Sequence, residues 1–179
     1  MSEFSRPMTP AEAKRQSEPL HLVADESERG AIAKRFGLLS IDRLEATLAI
    51  MAEGDSVKAE GALDAAVVQA CIASGEPVPA TIAVPLAVRF VPNAALEAAQ
   101  EDAEIELASD DLDVIGFSGG RFDLGEMVAE SLALELDPYP RSPDAERFLK
   151  DRGVKGEGEV GSFGVLAALR DKLGGAAEA

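Results

Sequence analysis

The side chains that most often perform catalysis are scarce in this chain. It contains one histidine, His21, and one cysteine, Cys71. A structural zinc site takes about four nitrogen or sulfur ligands, and nothing close to Cys71 in the sequence VVQACIASGEP would lower the pKa of its thiol. We therefore expect His21 to lie on a strand surface, Cys71 to be a buried or half-buried thiol, and the protein to bind no metal or other cofactor.

Carboxylates, by contrast, are abundant, with 33 Asp and Glu residues in 179. In so acidic a chain, pairs of carboxylates arise by chance, and only two that share an apolar cleft would indicate acid–base catalysis. The sequence has no phosphate-binding glycine loop, and GFSGG (116–120) lacks the spacing of a nucleophile elbow. An enzyme would need a carboxylate site that the sequence does not reveal, so we predict a protein without catalytic activity and keep that enzyme as an alternative.

The charge balance indicates the kind of partner. Only 17 Lys and Arg residues oppose the acids, and the formal net charge is −16 at pH 7. Such a chain is repelled by nucleic-acid phosphates, which need a basic surface, and it attracts basic partners. Four bases within a short span keep direct RNA binding open as an alternative: Arg29, Lys34, Arg35 and Arg43.

The sequence also indicates a compartment. Residues 1–20 lack the apolar core of a secretory signal, no stretch approaches the roughly 20 apolar residues of a membrane span, and a lone cysteine cannot form an intramolecular disulfide. We expect a cytoplasmic protein without membrane contact.

Periodic patterns place most of the elements that would position these side chains. LHLVAD (20–25) predicts a short strand, and 25–36 a helix with a capping box formed by Asp25 and Glu28. Residues 43–72 alternate as a hairpin, with its turn at 53–56 and a bulge near Asp64. The alternation of residues 81–91 predicts the next strand, with Phe90 near its end.

An acidic segment follows, at 93–114. It contains eight acids and no base: Glu97, Glu101, Asp102, Glu104, Glu106, Asp110, Asp111 and Asp113. Mutual repulsion and little apolar surface predict a solvated loop of weak order.

The segment RFDLGEMVAESLALELDPYP (121–140) predicts a helix over about 123–136. Asp123 and Glu126 have the spacing of a capping box, and Pro138 and Pro140 end the helix. One apolar face should pack on the sheet: Leu124, Met127, Val128 and Leu132. Glu130 lies off this face, so it is either solvated or directed at a basic partner, and the sequence leaves both open.

These elements predict an α+β fold, with a curved or barrel-like antiparallel sheet and about three helices. The predicted organisation is a flexible arm at 1–19, a core domain at 20–140 and, at 141–179, a flexible linker followed by a short amphipathic helix near 163–173. That helix either docks on its own domain or serves a partner.

Four blocks in this order resemble the YceD family, the large ribosomal RNA subunit accumulation proteins. They are VVQACIASGEPVPATIAVPLAVRFVP, the acidic segment, FDLGEMVAESLALELDPYP and SFGVLAALRDKL. Many members of this family have C-x-x-C in the first block, whereas this chain has Cys71 and Ser74. The resemblance implies a bacterial protein that supports the accumulation or processing of large-subunit ribosomal RNA, with no catalytic residues to carry over.

The resemblance and the charge together predict the partner and its site. The partner is a basic ribosomal protein or a large-subunit assembly intermediate, with ribosomal RNA contact left open. The candidate binding residues are those of the helix segment, the strand-ending phenylalanine and the basic cluster: Phe90, Asp123, Glu126, Glu130, Pro138, Pro140, Arg29, Lys34, Arg35 and Arg43.

Overall fold

A computed structural model describes residues 3–100 and 113–154 of the chain. The strands are β1 (Pro7–Met8), β2 (Leu20–Val23), β3 (Ser40–Glu53), β4 (Ser56–Ala70), β5 (Pro77–Pro92), β6 (Asp113–Phe117) and β7 (Phe122–Asp123). The helices are α1 (Pro10–Ala13), α2 (Glu26–Phe36), α3 (Asn93–Gln100), α4 (Leu124–Leu134) and α5 (Ala145–Asp151). The expected α+β class is confirmed.

The main sheet has five strands in the order β2-β3-β4-β5-β6. β3 pairs antiparallel with β2 and with β4, whereas β6 runs parallel to β5. In the described part of the chain β2 and β6 are the two edges, so the sheet does not close there and the barrel-like form is not confirmed. The parallel pair of β5 and β6 also departs from the expected antiparallel sheet. β1 and β7 form a separate two-stranded sheet.

Strand alternation places the core on one face of the hairpin. Leu44, Leu48, Val57 and Leu63 are at most 1% exposed, as expected for strands with one buried face. The pairing of β3 and β4 has its irregularity between Ile41 and Arg43, so the bulge expected near Asp64 lies instead near the start of β3.

The predicted N-cap residues of α2 and α4 are confirmed, and α2 also has its predicted capping box. Asp25 and Glu28 form the capping box of α2, and Gly37 ends this helix in the left-handed conformation with φ of 67°. Asp123 caps α4, and the predicted apolar face of that helix is buried in the core: Leu124, Met127, Val128 and Leu132.

Three segments that were expected to be flexible contain ordered structure. Residues 3–8, in the predicted arm, include Phe4 with no exposed surface, because the rest of the fold supplies an apolar site that the sequence does not announce. The ends of the acidic segment form α3 and β6, and α5 lies in the predicted linker. Residues 101–112 and the predicted terminal helix at 163–173 lie outside the described residues.

The chain divides into two compact units. The first comprises Met1–Gln69 with Pro79–Pro138 and holds the hydrophobic core described above. The second comprises Ala70–Val78 and the chain from Tyr139 onward. Within it, the backbone N–H of Ile72 donates to the carbonyl of Pro140 over 2.9 Å.

Candidate functional site

Helix α4 supplies most of the charged side chains of the candidate site. The Asp123 carboxylate caps the helix by accepting from the backbone N–H groups of Gly125 and Glu126. Because the apolar face of α4 is buried, Glu126 and Glu130, four residues apart, emerge from it on one side.

A hollow of about 280 Å³ lies between this side of α4 and strands β5 and β6. The helix lines it with Glu126, Met127 and Glu130, while β5 and β6 contribute Phe90 and Ile115 among others. It therefore brings together four of the predicted binding residues: Phe90, Asp123, Glu126 and Glu130.

Three aromatic rings form the floor of this hollow. Phe90 stacks on Phe122 with ring centroids 4.5 Å apart, and Phe117 tilts against Phe122 at 5.7 Å. Phe90 is only 1% exposed. Its main effect is therefore to support the site from below.

The carboxylates of the hollow differ in how they are engaged. Glu126 forms an ion pair with Arg35 at 2.8 Å. Glu130 is exposed and has no ion pair in the described part of the chain. Arg121, the one base among the described residues that line the hollow, is also exposed. Glu130 is thus the carboxylate most available to a partner.

Asp123 is occupied by the N-terminal strap, by which we mean residues 3–8. Its Oδ2 accepts from the Ser5 hydroxyl at 2.6 Å, and its Oδ1 accepts from the Arg6 backbone N–H at 2.7 Å. Arg6 itself binds Glu28 with both guanidinium nitrogens, and this lowers the pKa of the Glu28 carboxyl. The Asp123 carboxylate is therefore hydrogen-bonded by its own chain on both oxygens.

A second hollow, of about 90 Å³, continues the site along α4. Ser131, Leu134 and Glu135 line its helix side, while Asp113 and part of β5 line the other. The two hollows adjoin on both walls. On the helix, Glu130 lines the first hollow and the next residue, Ser131, lines the second. On β6, Ile115 lines the first hollow and Asp113, two residues earlier, lines the second. We call them together the α4 groove.

Most side chains of the predicted basic cluster form hydrogen bonds or ion pairs with their own chain. Arg29 donates to the backbone carbonyls of Ala24 and Ile41, Arg35 pairs with Glu3 and Glu126, and Arg43 pairs with Glu45 and Asp64. Lys34 has no ion pair in the described residues. A cleft of about 750 Å³ contains Arg29 and Lys34 but also Glu26 and Asp42.

Neither proline of the motif is among the residues that line the α4 groove. Pro138 is exposed, whereas Pro140 is buried. Pro140 accepts a backbone hydrogen bond in the second unit, so its contribution is to hold the chain there.

Cys71 is buried, as expected, but its surroundings differ from the expectation. Hydrogen bonds from the backbone of Ser142 and from the Ser74 hydroxyl stabilise the thiolate and lower the pKa of Cys71 to about 6. The Ser142 hydroxyl also donates to Glu76 over 2.8 Å. The expectation that nothing near Cys71 lowers its pKa is therefore wrong, since Ser74 lies within the same short segment. The first cause, the backbone of Ser142, is distant in the chain and could not be predicted from the sequence.

His21 lies on a strand surface, as expected. Its Nδ1 is 3.1 Å from the Thr47 hydroxyl, and its Nε2 is 3.9 Å from a Glu45 oxygen. Within residues 3–100 and 113–154 no group of three or more His, Cys, Asp or Glu side chains is arranged to hold a metal ion. In the same residues no helix is both long and apolar enough to cross a membrane.

Sequence reasoning missed part of the site. Phe117 and Phe122 complete the floor, and Arg121 lies at its edge, yet none was singled out. Phe117 directly precedes the glycine-rich turn 118–120, and Phe122 follows it after Arg121. A pair of aromatic residues around such a turn was the available signal.

Comparison with known proteins gives one match. The family model described as "Large ribosomal RNA subunit accumulation protein YceD" matches residues 59–169. This span includes β5, β6 and α4, which form the groove. No curated protein and no solved structure matches the chain.

Proposed function

The chain belongs to the YceD family of large ribosomal RNA subunit accumulation proteins, and from this premise we propose that it acts as a binding protein without catalytic activity. It works in the cytoplasm and supports the accumulation or processing of large-subunit ribosomal RNA. Its partner is a basic ribosomal protein or another basic component of a large-subunit assembly intermediate.

One observation carries this proposal: Glu130 is exposed at the rim of a hollow whose floor is aromatic. A Lys or Arg side chain can place its charged end beside this carboxylate and its aliphatic stem against apolar surface. Such a combination fits a basic protein segment better than it fits a phosphate backbone.

The charge of the whole chain supports the same partner. With a formal net charge of −16, the protein attracts basic proteins over a distance and repels free RNA. Three of the four bases in the alternative RNA patch are engaged by their own chain. Holding a basic ribosomal protein until ribosomal RNA displaces it would explain a role in RNA accumulation.

The proposal is tested by measuring affinity for purified basic large-subunit ribosomal proteins and, separately, for ribosomal RNA fragments. Glu130→Lys should weaken binding to the protein partner without unfolding the domain. Glu18→Lys makes the same change of charge at an exposed position outside the groove, so it is the matched control. Tight binding to RNA with none to any basic protein would overturn the proposal.

A further inference from the structure

Strand β6 pairs with only one end of strand β5. β5 runs from Pro77 to Pro92, but β6 pairs with it only from Val88 to Pro92. In the part of the chain that the structure describes, no strand lies on the β6 side of residues 77–87. An open edge presents unpaired backbone N–H and C=O groups and is a template for another strand.

Prolines indicate which backbone groups face that edge. Pro77, Pro79 and Pro85 are alternate residues of the strand, so their backbone nitrogens face the same edge. Prolines in strands occur where the missing N–H does not interrupt the hydrogen bonds to a neighbouring strand. The N–H groups of the odd-numbered residues of β5 therefore point away from β4. Thr81, Ala83 and Ala87 are also odd-numbered, so their N–H groups point toward the open edge.

The inner face beside the open edge combines apolar and acidic side chains. Val84 and Leu86 lie there on β5, and Leu134 of α4, which is 83% exposed, lies across the small hollow of the groove. Asp113 pairs in register with the buried Val88, which places Asp113 on the same inner face.

Negative charge gathers at one end of this edge. Asp113 and Glu135 both line the small hollow. Helix α4 ends there with no basic residue in its last turn, so its C-terminal dipole adds negative potential. Among the residues that the structure describes, no Lys or Arg lines the hollow. The arrangement suits an incoming strand with apolar side chains along Val84 and Leu86 and a positive charge near Asp113.

We propose that the open edge of β5 binds an extended basic peptide segment of the partner by strand addition. This inference rests on the proposed function and adds the conformation in which the partner is held. Main-chain hydrogen bonds to Thr81, Ala83 and Ala87 supply affinity, as in other cases of strand addition. Leu134 and the Asp113–Glu135 pair select an apolar and basic sequence.

The test uses the full chain and a fluorescein-labelled eight-residue peptide. The peptide alternates threonine with two valines followed by two arginines, and a second peptide with the order reversed covers the opposite strand direction. We expect one of them to bind and to protect the amides of Thr81, Ala83 and Ala87 from hydrogen exchange. The same peptide with N-methylated alternate amides keeps its charge but cannot pair, so its binding should be lost at the same concentrations.

Two variants test the edge from the side of the protein. Ala83→Pro removes one donor and should weaken peptide binding about fivefold, the effect of one net hydrogen bond, whereas Ala83→Ser keeps the N–H and should bind normally. If Ala83→Pro unfolds the protein, the N-methylated peptide gives the same information on the unaltered chain.

Three results would overturn the proposal. The first is equal binding of the N-methylated peptide, and the second is protection of the three amides in the free protein, since the chain or a second copy would then cover the edge. The third is undiminished binding of ribosomal proteins by a folded Ala83→Pro variant, which would leave the proposed function standing. If the peptide binds as expected but no basic ribosomal protein does, strand addition stands and the proposed function fails.

Discussion

The backbone N–H of Arg6 donates to Asp123 Oδ1 over 2.7 Å, although the two residues are 117 positions apart in the chain. The same oxygen accepts from the N–H groups of Gly125 and Glu126 at 3.0 and 3.2 Å. One carboxylate therefore fixes both the start of α4 and the N-terminal strap. The groove depends on this link because α4 forms one of its walls.

Asp123→Ala should lower the free energy of unfolding by more than the about 1 kcal/mol of a lost helix cap. The bonds to Ser5 and Arg6 are lost as well, and hydrogen bonds to charged groups contribute more than neutral ones. We expect a total loss of about 2–4 kcal/mol in urea unfolding. Asp123→Asn retains a capping oxygen and should lose less. An equal loss in both variants would contradict this explanation.

Gly125→Ala should displace the strap. A Cβ atom at this position would meet the backbone carbonyl oxygen of Phe4. On helix propensity alone, the change should stabilise the protein by about 1 kcal/mol, so a destabilisation would identify the clash. Hydrogen exchange at Arg6 and Leu124, whose amides bond across this contact, should become faster. Ser131→Ala, later in the same helix, is the control and should leave both amides protected.

Cys71 should make stability depend on pH. Its folded pKa of about 6 lies below the ordinary value of 9.0, so the unfolded chain binds more protons between these values. The contribution of Cys71 to the free energy of unfolding should therefore grow as pH rises from about 6 to 9, and vanish as pH falls through the folded pKa. Subtracting the pH profile of Cys71→Ala isolates this contribution.

Ser74→Ala tests the cause of that pKa. The Ser74 hydroxyl is one of the groups that stabilise the thiolate, so its removal should raise the pKa of Cys71 and narrow the pH range of the effect. Thiolate absorbance during a pH titration gives the pKa directly. An unchanged titration curve in Ser74→Ala would assign the effect to backbone donors alone.

Phe90→Ala should destabilise the fold by about 3–5 kcal/mol, as expected for a buried phenylalanine. The change removes the ring that stacks on Phe122 and leaves a cavity under the hollow. Phe36→Ala, at a half-buried position, should cost clearly less in the same denaturation measurement. Similar losses of stability in the two variants would mean that the aromatic floor packs no more tightly than a half-buried position.

Partner binding should weaken as salt rises, mainly through a slower association rate. In physiological salt, the attraction between opposite charges is screened over about 8 Å. Apolar contacts in the groove are not weakened by this screening. Surface-based kinetics at several salt concentrations measure both rates. Glu130→Lys should reduce the salt dependence of the association rate, while a salt-independent rate in the unaltered protein would argue against charge steering.

Much of the local structure could be predicted because its causes lie within a few residues. The capping pattern at Asp25 and Glu28, the left-handed Gly37 and the buried face of α4 all depend on neighbours three or four positions away. The strap could not be predicted in this way. Phe4 is an apolar residue in a polar segment, and only the folded chain supplies the site that buries it.

The sequence by itself determined the class of fold, the caps of α2 and α4, the acidic character and the family resemblance, since these follow from composition, periodicity and short motifs. Tertiary structure decided which charges remain available. Arg35 reaches Glu126, Asp123 is taken by the strap and Glu130 is left exposed. It also decided that β6 covers only part of β5, because strand pairing and ion pairs between distant residues depend on topology, which local patterns do not specify.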